Sequence, residues 1–411
     1  MSKLLNRFLR YVKIDTQSEE GVADRFPSTE KQLDLARLLA GELEELGLQE
    51  IDMDAHGYVS ATLPAGKGNE TVPVIGFFAH LDTSPEVSGT NVMPVVHRNY
   101  QGGDIRLPGD PAQVIREAEN PDLRELHGHD IITSDGTTLL GADNKAGIAE
   151  IMTMLDYFCS HPRTARGKIR VCFMPDEEVG NGTKYFDVKN FGAEAGYTVD
   201  GERVGNIENE NFNASLAVFV IEGVNLHPGY AKNKLVNSVR IAAEIIQRIN
   251  TLAAPETTEG REGYFHPYSI EGGVSRTQLK ILLRDFELSG IEEKIETLHA
   301  VREEVRRHYP RSKIFLDVTE SYRNMRFKLE EKPEVVQRAL AACSRAGVDP
   351  RIHIIRGGTD GAKLCFMGLP TPNIFTGGHN FHSKVEWISL QQMETTVKVL
   401  INLVDVWRRS E

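Results

Sequence analysis

The run "VPVIGFFAHLD", Val72–Asp82, is apolar at nearly every position. A strand with one wet face alternates polar and apolar residues, so a strand without alternation sits at the centre of a sheet covered on both faces. The surrounding chain supplies neighbours for it. "TEKQLDLARLLAGELEELGL" and "NKAGIAEIMTMLDYF" carry apolar residues at helical spacing, and "VSATLPA", "KIRVCFM" and "GYTVD" read as further strands. This alternation predicts an α/β domain with a mostly parallel sheet.

The pattern changes near Asn211. From there the order is strand ("ASLAVFVIEG"), helix ("NSVRIAAEIIQRI"), two strands ("YFHPYSI", "RTQLKILLRDF"), helix ("IEEKIETLHAVREEVRRHY") and strand ("KIFLDVTE"). A βαββαβ order is the ferredoxin-like unit, which closes as an α+β domain of its own. Helical patterns return with "KPEVVQRALAACSRAG" and "LQQMETTVKVLINLVDVW". The expected architecture is therefore one α/β domain in two segments, 1–211 and 322–411, interrupted by a small insert over 212–321.

A net charge of −12 argues against nucleic acid or an anionic membrane as partner. No stretch approaches the roughly 20 apolar residues of a membrane span. "MSKLLNRFLRYVKIDTQS" reads as an amphipathic helix, not a signal peptide. The four cysteines are scattered without a CxxC pair, and Cys172 and Cys365 lie in apolar runs as expected of buried free thiols. A reducing compartment, the cytoplasm, is the expectation.

"PDEEVGNG" places Glu177 and Glu178 side by side where the "KIRVCFM" strand ends. On a regular strand neighbours point to opposite faces, so two such carboxylates serve one crevice only if the chain bends there. A solvated turn is the competing reading, since Pro, Asp and Gly are turn residues. Other strand ends and Gly-rich turns carry similar groups: His80 and Asp82 in "FFAHLD", Asp143 in "LLGADNKAG", Asp200 in "YTVDG", and His379 and His382 in "GGHNFHSKVEW". Asp143 also suits a helix N-cap, and Asp200–Gly201 an ordinary turn. Taken together, these imidazoles and carboxylates suit Zn²⁺ or another borderline divalent ion, and they are numerous enough for two ions sharing one carboxylate. Asp82 is placed to hold the second nitrogen of His80.

"GFFAHLDTSP", "TLLGADNKAGIAEIM", "PDEEVGNG", "YTVDG", "HPGYAKN", "RGGTDGAKLCFMGLPTPNIFTGG" and "HNFHSKVEW" occur in that order. In them the chain resembles the tripeptide aminopeptidases within the di-zinc exopeptidases and deacylases, essentially from end to end. The resemblance implies a di-zinc catalytic domain with an inserted lid. It implies two Zn²⁺ per subunit: Asp143 bridging, His80 and Asp200 on one ion, Glu178 and His382 on the other. Asp82 would orient His80, and Glu177 would be the general base that relays a proton from the attacking water to the leaving amine. His227 of "HPG" would stabilise the oxyanion, supplied from the lid of a partner subunit in a homodimer. The family more often has a second aspartate where Asn144 stands, a tyrosine at His379 and a glycine at Ser383, and the Asp143–Asn144 peptide is cis in related enzymes.

The implied activity is release of the N-terminal residue from short peptides. An N-acyl amino acid deacylase or dipeptidase would use the same metals, and a binding protein on a retired scaffold is a third class. The presence of Glu177 and Asp82 argues against the third. Arg284 in "LLRDF" and Arg356 in "RGGTDG" are candidate clamps for a substrate carboxylate, with structural roles as the alternative.

Overall fold

The computed structural model describes residues 2–249 and 253–409. Two compact units emerge from its internal contacts: Met1–Asn209 with Met325–Ile354 and Thr359–Glu411, and Glu210–Asn324 with Ile355–Gly358.

The first unit is built on an eight-stranded sheet. Its order is Gln49–Met53, Val59–Leu63, Ile169–Met174, Ile75–His80, Ala195–Gly201, Asn373–Phe375, Asn206–Asn211, Arg351–Ile355. The central pairings, Ile75–His80 with its two neighbours and Ala195–Gly201 with Asn373–Phe375, are parallel. Toward the edges the sheet turns antiparallel, at Val59–Leu63 against Ile169–Met174, Gln49–Met53 against Val59–Leu63, and Asn206–Asn211 against Asn373–Phe375. The sheet is thus mixed around a parallel centre. A short turn joining Gln49–Met53 to Val59–Leu63 permits only an antiparallel pair, whereas parallel neighbours need a crossover.

Ile75–His80 is buried at every position, as its lack of alternation requires. Phe77 packs on Tyr197, whose hydroxyl accepts from Trp407 Nε1 in the helix Leu390–Arg408. On the opposite face Phe78 clusters with Cys172, Met174, Phe191 and Leu364. Both faces are therefore covered. A second, antiparallel sheet of Gly378–His379, Trp387–Ser389, Ile131–Thr133 and Val95–His97 frames the loop between its first two strands.

The second unit has the ferredoxin-like arrangement. Strands Tyr264–Gly273, Arg276–Asp285, Asn213–Glu222 and Lys313–Tyr322 form one antiparallel sheet in that spatial order, with helices Ser238–Arg248 and Leu288–His308. Along Asn213–Glu222, Ala217, Phe219 and Ile221 are buried and join Ile241, Ile245 and Leu298 of the helices in one core. The residues between them are only half-buried, giving the period of two expected of a half-covered sheet.

Candidate metal centre

Three adjacent central strands deliver polar side chains at their carboxyl ends, where ligands bind in open α/β sheets. His80 ends its strand, Asp200 lies near the end of Ala195–Gly201, and Glu177 and Glu178 follow Ile169–Met174. Asp143 comes from the start of the helix Ala142–Ser160, and His382 from the loop after Gly378–His379.

The bend at the glutamate pair has identifiable anchors. Asp176 adopts a left-handed conformation, φ 59°. Its carboxylate accepts from the Ser28 N–H at 2.6 Å, the Ser28 hydroxyl and Gln32 Nε2. The next two amides, Glu177 N–H and Glu178 N–H, donate to Asp82 Oδ1 and Oδ2 at 3.0 and 3.2 Å. A turn pinned at both ends frees the two side chains from strand alternation. The turn is buried where it begins, with Asp176 1% exposed, and becomes exposed only at Gly180.

Asp143 does not cap its helix. The residue and its successor are non-helical (ψ 104° and 33°), their peptide is cis, and regular helix begins at Lys145. Asn144 takes the capping role instead, its Oδ1 accepting the Gly147 N–H at 3.2 Å. The asparagine keeps the acceptor an aspartate would offer, which accounts for the departure at this position. Gly147 lets the helix approach the sheet, since a Cβ there would stand 2.0 Å from the Val199 carbonyl oxygen.

Asp143 is thereby free to face two imidazoles. Oδ1 lies 2.9 Å from His80 Nε2, and Oδ2 lies 3.2 Å from His382 Nε2. His80 Nε2 is also 3.4 Å from Asp200 Oδ1, and His382 Nε2 is 2.9 Å from Glu178 Oε2. His80, Asp143 and Asp200 thus form one group, and Asp143, Glu178 and His382 another, each with potential ligand atoms within 4.8 Å of one another. The other nitrogen of each histidine is held: His80 Nδ1 by the Asp82 backbone carbonyl at 3.0 Å, with Asp82 Oδ1 at 3.4 Å, and His382 Nδ1 by Glu86 at 3.2 Å. The strand stops at His80, so the orienting contact comes from the turn beyond it. His379 stays out of both groups, stacked on Trp387 with ring centroids 4.0 Å apart.

The electrostatics call for a cation. Burial pushes Glu178 up to about 8, with Asp143 adding to it, and Asp200 up to about 6. Burial and then the nearby Asp360 hold the Glu177 carboxyl well above its usual range. Burial alone would lower both imidazoles, yet the surrounding carboxylates raise His80 well above its ordinary value and His382 to about 11. Glu178 Oε1 is buried without a hydrogen-bond partner. So dense a set of buried oxygen and nitrogen donors, one of them orphaned, fits two divalent ions sharing Asp143. Among the described residues no hydrogen bond reaches the Glu177 carboxylate, which leaves it available for chemistry.

His227, Arg284 and Arg356 belong to the second unit. His227 is exposed in a loop, its Nδ1 accepting the Gly229 N–H at 3.1 Å. Arg284 lies 4.9 Å from the Tyr322 ring centroid, and its Nη1 is buried without a hydrogen-bond partner. Arg356 is engaged by the Gly260 and Glu262 carbonyls and the Thr258 hydroxyl.

Sequence reasoning missed three carboxylates. Glu86 holds His382, and Asp360 lies so close to Gly182 that a Cβ there would meet its Oδ2 at 2.0 Å. Glu386 stands in the quoted "HNFHSKVEW", but nothing in its spacing told of its partners near residue 140. Among the described residues no helix is long and apolar enough to cross a membrane.

Residues 135–406 match Peptidase family M20/M25/M40. A protein of Bacillus subtilis named Peptidase T is 47% identical over 401 residues, 98% of this chain and 97% of its own length. The fold is shared with an aminopeptidase from Bacillus cereus (TM-score 0.76, 23% identity, 98% of both chains covered). It is shared equally with a tripeptidase from Staphylococcus aureus (TM-score 0.78, 22% identity, 99% and 98% covered). On the family match and the near full-length identity, the chain belongs to Peptidase family M20/M25/M40.

Proposed function

We propose that this chain is a zinc-dependent aminopeptidase that releases the N-terminal residue of tripeptides. The observation that carries the reading is the division of Asp143, one oxygen toward His80 and the other toward His382. His80, Asp143 and Asp200 would hold one Zn²⁺, and Asp143, Glu178 and His382 the other. Bound there, the ions would raise the acidity of a water and polarise the scissile carbonyl. Glu177 takes the water's proton and returns it to the departing amine; a carboxylate outside the ligand set is suited to this because no cation holds it ionised. Asp82 fixes both the His80 ring and the backbone that carries Glu177. Of the two arginines we assign the substrate carboxylate to Arg284, whose Nη1 has no hydrogen-bond partner, because Arg356 already spends its donors on carbonyls and a hydroxyl. A homodimer joined through the inserted unit, acting on short peptides in the cytoplasm, completes the proposal.

The 47% identity to a protein named Peptidase T, and the fold shared with an aminopeptidase and a tripeptidase, favour peptides over N-acyl amino acids. The test compares a free tripeptide with its N-acetylated analogue on zinc-loaded enzyme. Release of the first residue from the free peptide alone is the expected result. Efficient release of acetate, or of the C-terminal residue first, would assign the chain to deacylases or carboxypeptidases instead.

A further inference from the structure

Glu386 is 1% exposed and closes the loop that carries His382, immediately before the strand Trp387–Ser389. Its Oε2 accepts the N–H groups of Leu140 and Gly141 at 2.8 and 2.7 Å, and its Oε1 accepts the Asp143 N–H at 3.0 Å. One carboxylate therefore satisfies three backbone donors of the turn that presents Asp143, 243 to 246 residues away in sequence. The turn needs such a partner. Gly141 is left-handed at φ 80°, and the residues before Lys145 lie outside the regular helix, so their N–H groups lack the usual helical geometry.

The strand after Glu386 pairs on one side with Ile131–Thr133 and on the other with Gly378–His379. That sheet holds the Glu386 backbone rigidly, and the carboxylate transmits this rigidity to the Asp143 turn. His382, four residues earlier in the same loop, is referred to the same frame. We infer that Glu386 is a positioning residue that sets Asp143 against His382, and through the shared carboxylate fixes the affinity of both ions together. The inference rests on the reading of Asp143 as the ligand common to both. Glu178 and Asp200 differ from Glu386 in this respect, because each belongs to one group alone.

A role confined to holding the loop would lower stability without altering how the folded protein binds metal. The two roles separate in a chelator-competition titration with Zn²⁺, accompanied by the visible spectrum of the Co²⁺-loaded protein. In Glu386→Gln the amide cannot accept at both positions, so one N–H contact is lost and an NH₂ group faces a donor. Both dissociation constants should rise together by about 10- to 100-fold, the usual effect of removing a group that orients a ligand. The Co²⁺ absorption of both sites should change as well. Glu386→Asp keeps the charge but is one methylene short of the three amides; it should show the same paired weakening, and it carries the test if the glutamine variant does not fold. Affinities within threefold of the unaltered protein, or loss at one site alone, would overturn the inference. Failure of the unaltered protein to take up two ions would instead overturn the proposed metal site, and this inference with it.

Discussion

Replacing Glu177 with glutamine is expected to leave two zinc ions bound and to lower turnover about 10²- to 10⁴-fold. The carboxylate has no hydrogen-bond partner among the described residues and belongs to neither group of potential ligands. Its neighbour is different: Glu178 Oε2 stands 2.9 Å from His382 Nε2, within the group that includes Asp143. Glu178→Gln should therefore weaken one ion and leave the other, with activity recovering in part at high zinc. Metal content by elemental analysis and turnover on a tripeptide, measured on both variants, decide the matter. Equal metal loss in the two would sink the assignment of base and ligand.

His227→Ala is expected to lower turnover about 100- to 1000-fold while both ions stay bound, the effect of losing one donor to a developing oxyanion. With Nδ1 accepting the Gly229 N–H, the ring carries its hydrogen on Nε2, which leaves a donor on the exposed side of the loop. If the donor crosses from a partner subunit, a His227→Ala chain regains a complete site when paired with a Glu177→Gln chain. In an excess of the latter, activity per His227→Ala chain should climb toward that of the unaltered enzyme. Verified hybrid dimers without rescue would refute delivery between subunits, and near-normal turnover by the single variant would refute the oxyanion role.

What could be read in the sequence was what neighbouring residues determine. The unbroken apolar run at Ile75–His80 announced a strand covered on both faces, and it is buried throughout. The run Asn213–Glu222 was legible as a strand, but its unbroken apolar stretch Leu216–Ile221 did not tell that alternate positions would be only half-buried. The antiparallel edges were not legible, because pairing direction depends on which strands meet. The glutamate pair posed a question that local pattern left open. Its answer lies in Ser28 and Gln32, 148 and 144 residues from Asp176, and in the two amides that Asp82 accepts. Asp143 likewise had two readings, cap and bridging ligand. The structure gives the capping contact to Asn144, a choice that no single-position preference distinguishes.

The three contacts of Asp82 have a consequence for how substitutions in this chain combine. Its carboxylate lies 3.4 Å from His80 Nδ1 and holds the amides of Glu177 and Glu178. Substitution of Asp82 therefore disturbs the His80 ring and the turn that carries both glutamates at once, whereas substitution of either glutamate side chain leaves its amide bonded to Asp82. Residues coupled in one hydrogen-bond network do not contribute additively, and interaction energies between such neighbours run to about 0.5–3 kcal/mol. Single-site scans here will overcount, because the loss at Asp82 already includes the misplacement of His80, Glu177 and Glu178, whose own substitutions then remove less than they would alone. Epistasis at the end of this strand is then a property of the wiring, and a lineage that changed Asp82 would have to change its dependants with it.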